Sequence, residues 1–181
     1  MSPRLLIDVL QVTGRQMCAF FHTLDPYALG GPVSWVGPEP APVWLDLARE
    51  YTERWCHQQQ IRDAVGQPGL TQPRYLAPVL ATFVQALPRT FRATPAAEGT
   101  IVTLTVRGAS GGQWSVRQEA GTWRLYAGAP DRCDAEARID DAVAWRLCTR
   151  GLSQEQAREQ VTLVGDQVLA SRVCEMVSII A

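Results

Sequence analysis

The feature that most constrains this chain is a change of hydrophobic period near residue 100. Before it, apolar residues recur every three or four positions; after it, they alternate every second one. A period near 3.6 lines one face of a helix, and a period of two lines one face of a strand. The spacing therefore predicts an α+β protein. Residues 1–92 should be helical, and residues 93–181 should form a small α/β unit with a mainly antiparallel sheet. The two part in the polar stretch between Arg92 and Thr100.

In the first part, Leu6, Val9, Leu10, Met17, Phe20, Phe21 and Leu24 give a helix over about residues 4–24. Pro26, Gly30, Gly31, Pro32, Gly37, Pro38, Pro40 and Pro42 follow, a density that predicts a long irregular loop carrying Trp35. A second helix starts near Pro42 and stops at Gly66, which suit a first turn and a C-terminal position. A third runs from about Gln72 to about Leu87, with Pro88 ending it. In the second part, residues 101–106, 114–117 and 123–126 are separated by glycine-rich turns and read as an antiparallel meander. A fourth strand is expected at 135–139, a short helix at 142–150 ended by Gly151, and a capping box at Ser153 and Gln156. A fifth strand at 161–164 and a last helix with the face Leu169, Val173, Met176, Val177 and Ile180 complete the pattern.

Composition narrows the function. The chain has 181 residues, a net charge of -1, and 17 basic residues that are all arginine. No basic field exists to hold a phosphate backbone, so nucleic acid is not an expected partner, and no lysine is present for Schiff-base or general-base chemistry. No apolar run approaches the roughly 20 residues needed to span a bilayer, and no signal-peptide pattern is visible. The five cysteines, Cys18, Cys56, Cys133, Cys148 and Cys174, are scattered and odd in number. They read as thiols of a reducing, cytoplasmic compartment.

The strongest chemical feature is on the second helix. Glu53 and His57 are four residues apart, so their side chains project from one face a turn apart. A carboxylate and an imidazole so placed can share a metal ion, although two ligands make only a half-site. The same spacing also fits a surface or interhelical hydrogen bond. Trp55, Cys56, Gln58, Gln59 and Gln60 around the pair suggest a semi-polar, partly buried interior. His22 lies at the end of the first helix, where it can either bond the last carbonyls or face the second helix. No nucleophile elbow, P-loop or dinucleotide fingerprint is present.

The run Glu53-Arg54-Trp55-Cys56-His57-Gln58-Gln59-Gln60-Ile61-Arg62 resembles the metal-bearing last helix of the mycothiol-dependent maleylpyruvate isomerase family. The stretches Trp114-Ser115-Val116, Gly121-Thr122-Trp123-Arg124-Leu125, Ala144-Trp145-Arg146-Leu147 and Gly165-Asp166 resemble its C-terminal domain, which is similar to sterol-carrier-type domains. The resemblance implies a partial DinB-like bundle over 1–92 and a sterol-carrier-like α/β domain over 93–181. It implies a divalent metal, zinc in the isomerase, held by Glu53, His57 and a histidine from an earlier helix, with mycothiol or another small thiol as co-substrate. The matching histidine would lie upstream of Met1, so the chain reads as shortened by roughly two helices; Gln60 stands where many relatives carry Asp. The implied function is a metal-dependent, mycothiol-linked isomerase or thiol transferase acting on a small molecule, incomplete or inactive as this chain. The alternative is a non-enzymatic module that encloses a small apolar ligand between the sheet and helices of the sterol-carrier-like domain. Trp114, Trp123 and Trp145 then either face the ligand or fill the core. A shortened bundle leaves an apolar face open, so a homo-oligomer through the helical part is expected.

Overall fold

The computed structural model describes residues 2–178. Helix α1 (Pro3–Phe21) begins with Ser2, whose hydroxyl accepts from the Leu5 N–H, and with Pro3, which needs no donor there. It buries none of its residues. The Gly/Pro segment is not wholly irregular. Strands β1 (Leu29–Pro32) and β2 (Pro40–Pro42) pair antiparallel with a register irregularity, and Gly30 lets the backbones close up, since a Cβ there would lie 3.2 Å from the Ala41 oxygen. Prolines lack the N–H but keep the carbonyl, so they are tolerated in so short a ribbon. Val33, Ala41 and Leu45 make a small core beneath it, with Trp35 packed alongside.

Helix α2 (Val43–Ala64) lays Leu45, Thr52, Trp55, Cys56 and Gln59 against the rest of the molecule. Gly66, at φ +65°, then turns the chain away. Helix α3 (Pro73–Phe83) does not stop at Pro88. It passes through a 3-10 turn (Val84–Ala86) into α4 (Leu87–Phe91), where Pro88 occupies the first turn and no donor is missed.

The sheet has the order β5-β4-β3-β6-β7. Strands β3 (Ile101–Arg107), β4 (Gly112–Glu119) and β5 (Thr122–Ala127) form the expected meander. Strand β6 (Ala135–Asp140) runs parallel to β3, and β7 (Thr162–Gly165) is antiparallel to β6. Helices α5 (Asp141–Cys148), α6 (Gln154–Gln160) and α7 (Gln167–Ser171) complete the described elements, with the Ser153–Gln156 capping box formed. After α7 the chain makes a 3-10 turn (Arg172–Glu175) and leaves helical geometry at Met176. Ile180, expected on that last face, lies outside the described residues.

Strand alternation sorts the sheet into two faces. Val102, Leu104, Val106, Val116, Trp123, Ala137 and Ile139 point inward, where Leu76, Val79, Leu80, Phe83, Leu87 and Phe91 of the α3–α4 rod cover them. This buried cluster is continuous from Trp55 to Met176, so it runs across the stretch between Arg92 and Thr100. The other face carries Thr103, Thr105, Ser115, Arg117, Glu119, Arg124, Tyr126, Glu136 and Arg138.

Candidate functional site

Glu53 and His57 do share a face of α2. The His57 Nε2 lies 3.7 Å from the Glu53 carboxylate, and Nδ1 is 3.0 Å from Gln60 Oε1. An amide oxygen only accepts, so a neutral ring carries its proton on Nδ1 and turns the Nε2 lone pair toward Glu53. The face is not the semi-polar interior expected of it. The His57 and Glu53 side chains are 61% and 36% exposed, while Trp55, Cys56 and Gln59 point the other way into the core. Adjacent helical positions diverge by about 100°, which separates Cys56 from His57. His22 caps the C-terminus of α1, where its backbone N–H bonds the Cys18 carbonyl. Among the described residues, no three His, Cys, Asp or Glu side chains converge on a metal position.

The interior thiols do not offer a nucleophile. Burial pushes the Cys56 and Cys148 thiols each up to about 12, and it also raises Cys174. At neutral pH they are protonated core residues.

A groove instead lies on the outer face of the sheet. Strands β5 and β6 flank β4 and β3, so residues 128–134 must cross that face to join them. The crossing is pinned at both ends. Gly128 N–H donates to the Gln113 carbonyl at 2.7 Å, and the Ser115 hydroxyl donates to the Gly128 carbonyl at 2.9 Å. At the far end Asp134 N–H donates to the Ile101 carbonyl at 2.9 Å, and the Asp134 carboxylate accepts from Ile101 N–H at 2.8 Å. Thr103 and Ser115, hydrogen bonded at 3.1 Å, are thereby buried on a face that otherwise meets solvent. Beside the crossing is a space of about 270 Å³ bounded by Ile101, Tyr126, Ala127, Ala129 and Pro130, with Ser115 and Arg117 as its polar members. Tyr126 is fixed by donating to Glu119 at 2.9 Å, which holds its phenol above the usual range. The same carboxylate stands 3.6 Å from Arg117 and from Arg124. Apolar walls with one guanidinium at the rim suit an apolar body bearing an acidic end. The sequence signals were the outward alternation Ser115, Arg117 and the run Gly128-Ala129-Pro130. Neither says that the run folds back over those strands.

No family model matches the chain, and no curated protein matches it. Among solved structures it matches sterol carrier protein 2 like 2 from Aedes aegypti at 19% identity and a TM-score of 0.42, covering 54% of this chain and 95% of that one. It also matches the UbiJ-SCP2 ubiquinone synthesis protein (15%, TM-score 0.37, 54% and 93%) and the sterol carrier protein domain 2 of Helicoverpa armigera (18%, TM-score 0.35, 57% and 80%). Over about half its length the chain is similar to sterol-carrier-type domains. Likeness at this level transfers neither ligand nor activity. The helical part has no counterpart among these matches that carries a maleylpyruvate isomerase or a DinB-like bundle.

The centre of the expected ligand position between sheet and helices is filled. Phe83 and Phe91 are fully buried there, the Phe91 ring 5.1 Å from Trp123, and Trp145 packs into the same cluster. The indoles of Trp123 and Trp145 are core residues, although Trp123 also borders an open groove of about 420 Å³ shared with Pro88, Arg89 and Arg92.

Proposed function

We propose that this chain is a binding module that holds a small apolar ligand with an acidic end on the outer face of its sheet and does no chemistry on it. The groove beside residues 128–134 carries this reading: apolar walls, one guanidinium, and a volume of about 270 Å³. Such a space admits a body on the order of ten non-hydrogen atoms. The protonated interior thiols favour binding over catalysis, and five free cysteines suit a cytoplasmic setting. The test is an NMR titration of the full chain with octanoate and with octanol. Both should shift the amides of Ala127 and Ala129 saturably, and Ala129→Trp should abolish the shifts by filling the groove. Arg117→Gln should weaken octanoate about tenfold and leave octanol unchanged, as expected for loss of one charge-assisted contact. Shifts that do not saturate, or that survive Ala129→Trp, would refute the proposal.

A second reading keeps the metal- and thiol-dependent enzyme. It is supported by the Nε2 lone pair of His57 facing the Glu53 carboxylate at 3.7 Å. A divalent ion there, zinc or another, would need a further donor from outside the described residues, and a small thiol such as mycothiol would be its partner. Metal analysis of protein purified with added zinc decides it. Stoichiometric metal lost in both Glu53→Ala and His57→Ala supports this reading, and retention in either variant ends it.

A further inference from the structure

A second groove, of about 340 Å³, opens where α4, the C-terminal end of α5 and the Arg172–Glu175 turn meet. Arg89, Arg92, Arg150 and Arg172 all line it, from three separate chain segments, with Trp35 joining from the Gly/Pro segment. Glu175 is also there, and the Arg172 guanidinium holds both of its oxygens at 2.9 Å. Arg89, Arg92 and Arg150 make no ion pair among the described residues. Arg92 donates to the Arg89 carbonyl at 2.8 Å. Cationic side chains without counter-ions around one small space repel each other, and an anion entering it relieves that repulsion.

Two further observations mark this place. Arg150 sits at φ +57°, the left-handed position that closes α5 and is ordinarily filled by glycine. A side chain is disfavoured there on backbone grounds, yet the one present adds charge to an already cationic groove. Trp35, half-buried, lines the groove, and its indole N–H, itself out of contact with solvent, finds no acceptor among the described residues. The negative end of α5 does not oppose an anion strongly, because its last carbonyls are already engaged. Trp145, Arg146, Leu147 and Cys148 accept from the N–H groups of Thr149, Gly151, Arg150 and Ser178.

We propose that this groove binds a phosphate-bearing small molecule. Planar guanidinium forks match phosphate oxygens in pairs, and several forks together favour a group with two or more charges. The small volume and the single cluster fit a free small molecule rather than an extended nucleic acid backbone.

Calorimetric titration of the full chain with inorganic pyrophosphate tests this, at about 50 and about 150 mM salt. Saturable one-to-one binding in the submillimolar range, weaker but present at the higher salt, is expected. Arg89→Gln and Arg150→Gly should each weaken it at least tenfold, while Arg107→Gln, beside the opposite end of α5 and paired with Asp140, should not change it. Arg150→Gly should also melt no lower than the parent, because glycine suits that backbone, so its loss of affinity would not be a folding defect. Sulfate and citrate at matched ionic strength should bind more weakly than pyrophosphate. Absence of saturation up to several millimolar, equal binding by Arg150→Gly and Arg107→Gln, or sulfate and citrate binding as tightly as pyrophosphate would each overturn it.

Discussion

Trp145 on α5 meets Trp55 on α2 edge to face, with ring centroids 5.2 Å apart and planes at 87°. Each indole is further held. Trp55 donates to the Leu70 carbonyl at 3.0 Å, and the Arg146 guanidinium covers the Trp145 ring at 4.3 Å while bonding Asp63 at 2.9 Å. This joint fastens the helical part to the α/β part. Trp55→Ala or Trp145→Ala should each destabilise by about 3–5 kcal/mol. The double variant should reveal a coupling of about 0.5–1.5 kcal/mol in denaturant unfolding. Because one buried cluster spans both parts, unfolding should be a single transition. Two separated transitions would show that the parts are independent.

The thiols give a pH-dependent expectation. Burial penalises the thiolate and pushes Cys56 and Cys148 up to about 12, well above the ordinary thiol range. The folded state therefore holds these protons more tightly than the unfolded chain. The stabilisation is fully present below about pH 9 and is lost as pH rises from there toward 12. Stability measured by urea should fall over that window, and Cys56→Ala should flatten the fall. At pH 8 a disulfide reagent should modify the exposed Cys18 and Cys133 quickly and Cys56 and Cys148 only upon unfolding.

Two glycines in neighbouring turns should respond oppositely to the same change. A Cβ on Gly111 would fall 2.0 Å from the Val106 carbonyl oxygen, inside the β3–β4 turn, where only backbone can yield. Gly121, between β4 and β5, has φ +80° and open space around it. Gly121→Ala should cost about 1 kcal/mol from its backbone conformation. Gly111→Ala should cost more than twice that and impair folding. Equal melting temperatures for the two variants would contradict the turn geometry.

What the sequence made legible follows from the range of the interactions involved. Caps, helix faces and the meander are local, so Ser153, Gln156 and the alternation from Ile101 to Tyr126 announced themselves. Pro88 misled because it marks either the end of a helix or its first turn, and only the packing of Phe91 under Trp123 selects the second. The spacing of Glu53 and His57 fixed their common face but not which face of α2 turns inward. That was decided by Trp55, Cys56 and Gln59, the last engaged by the Leu70 N–H. The groove depends on β3 pairing parallel with β6, thirty-odd residues away, and no local pattern encodes the crossing that follows.

Helix α1 sets the last expectation. Leu5, Leu6, Ile7, Val9, Leu10, Val12 and Phe20 are each 44–62% exposed, and at 100° per residue they spread over more than half the helix circumference. Together they present roughly 600 Å² per chain, of which a single partner helix covers only a part, so two chains laid against each other would bury less than roughly 1,200 Å². A homodimer through α1 would remove much of this surface from water with the chain's own material. Sedimentation at tens of micromolar should show a dimer, and Leu6→Glu with Leu10→Glu should convert it to a monomer. Because Leu6 and Leu10 are exposed and α1 touches its own chain mainly through the half-buried Met17 and Phe21, the same variant should unfold within about 0.5 kcal/mol of the parent monomer. A parent chain that sediments as a monomer, or a variant that collapses the rest of the fold, would show that α1 is covered in some other way.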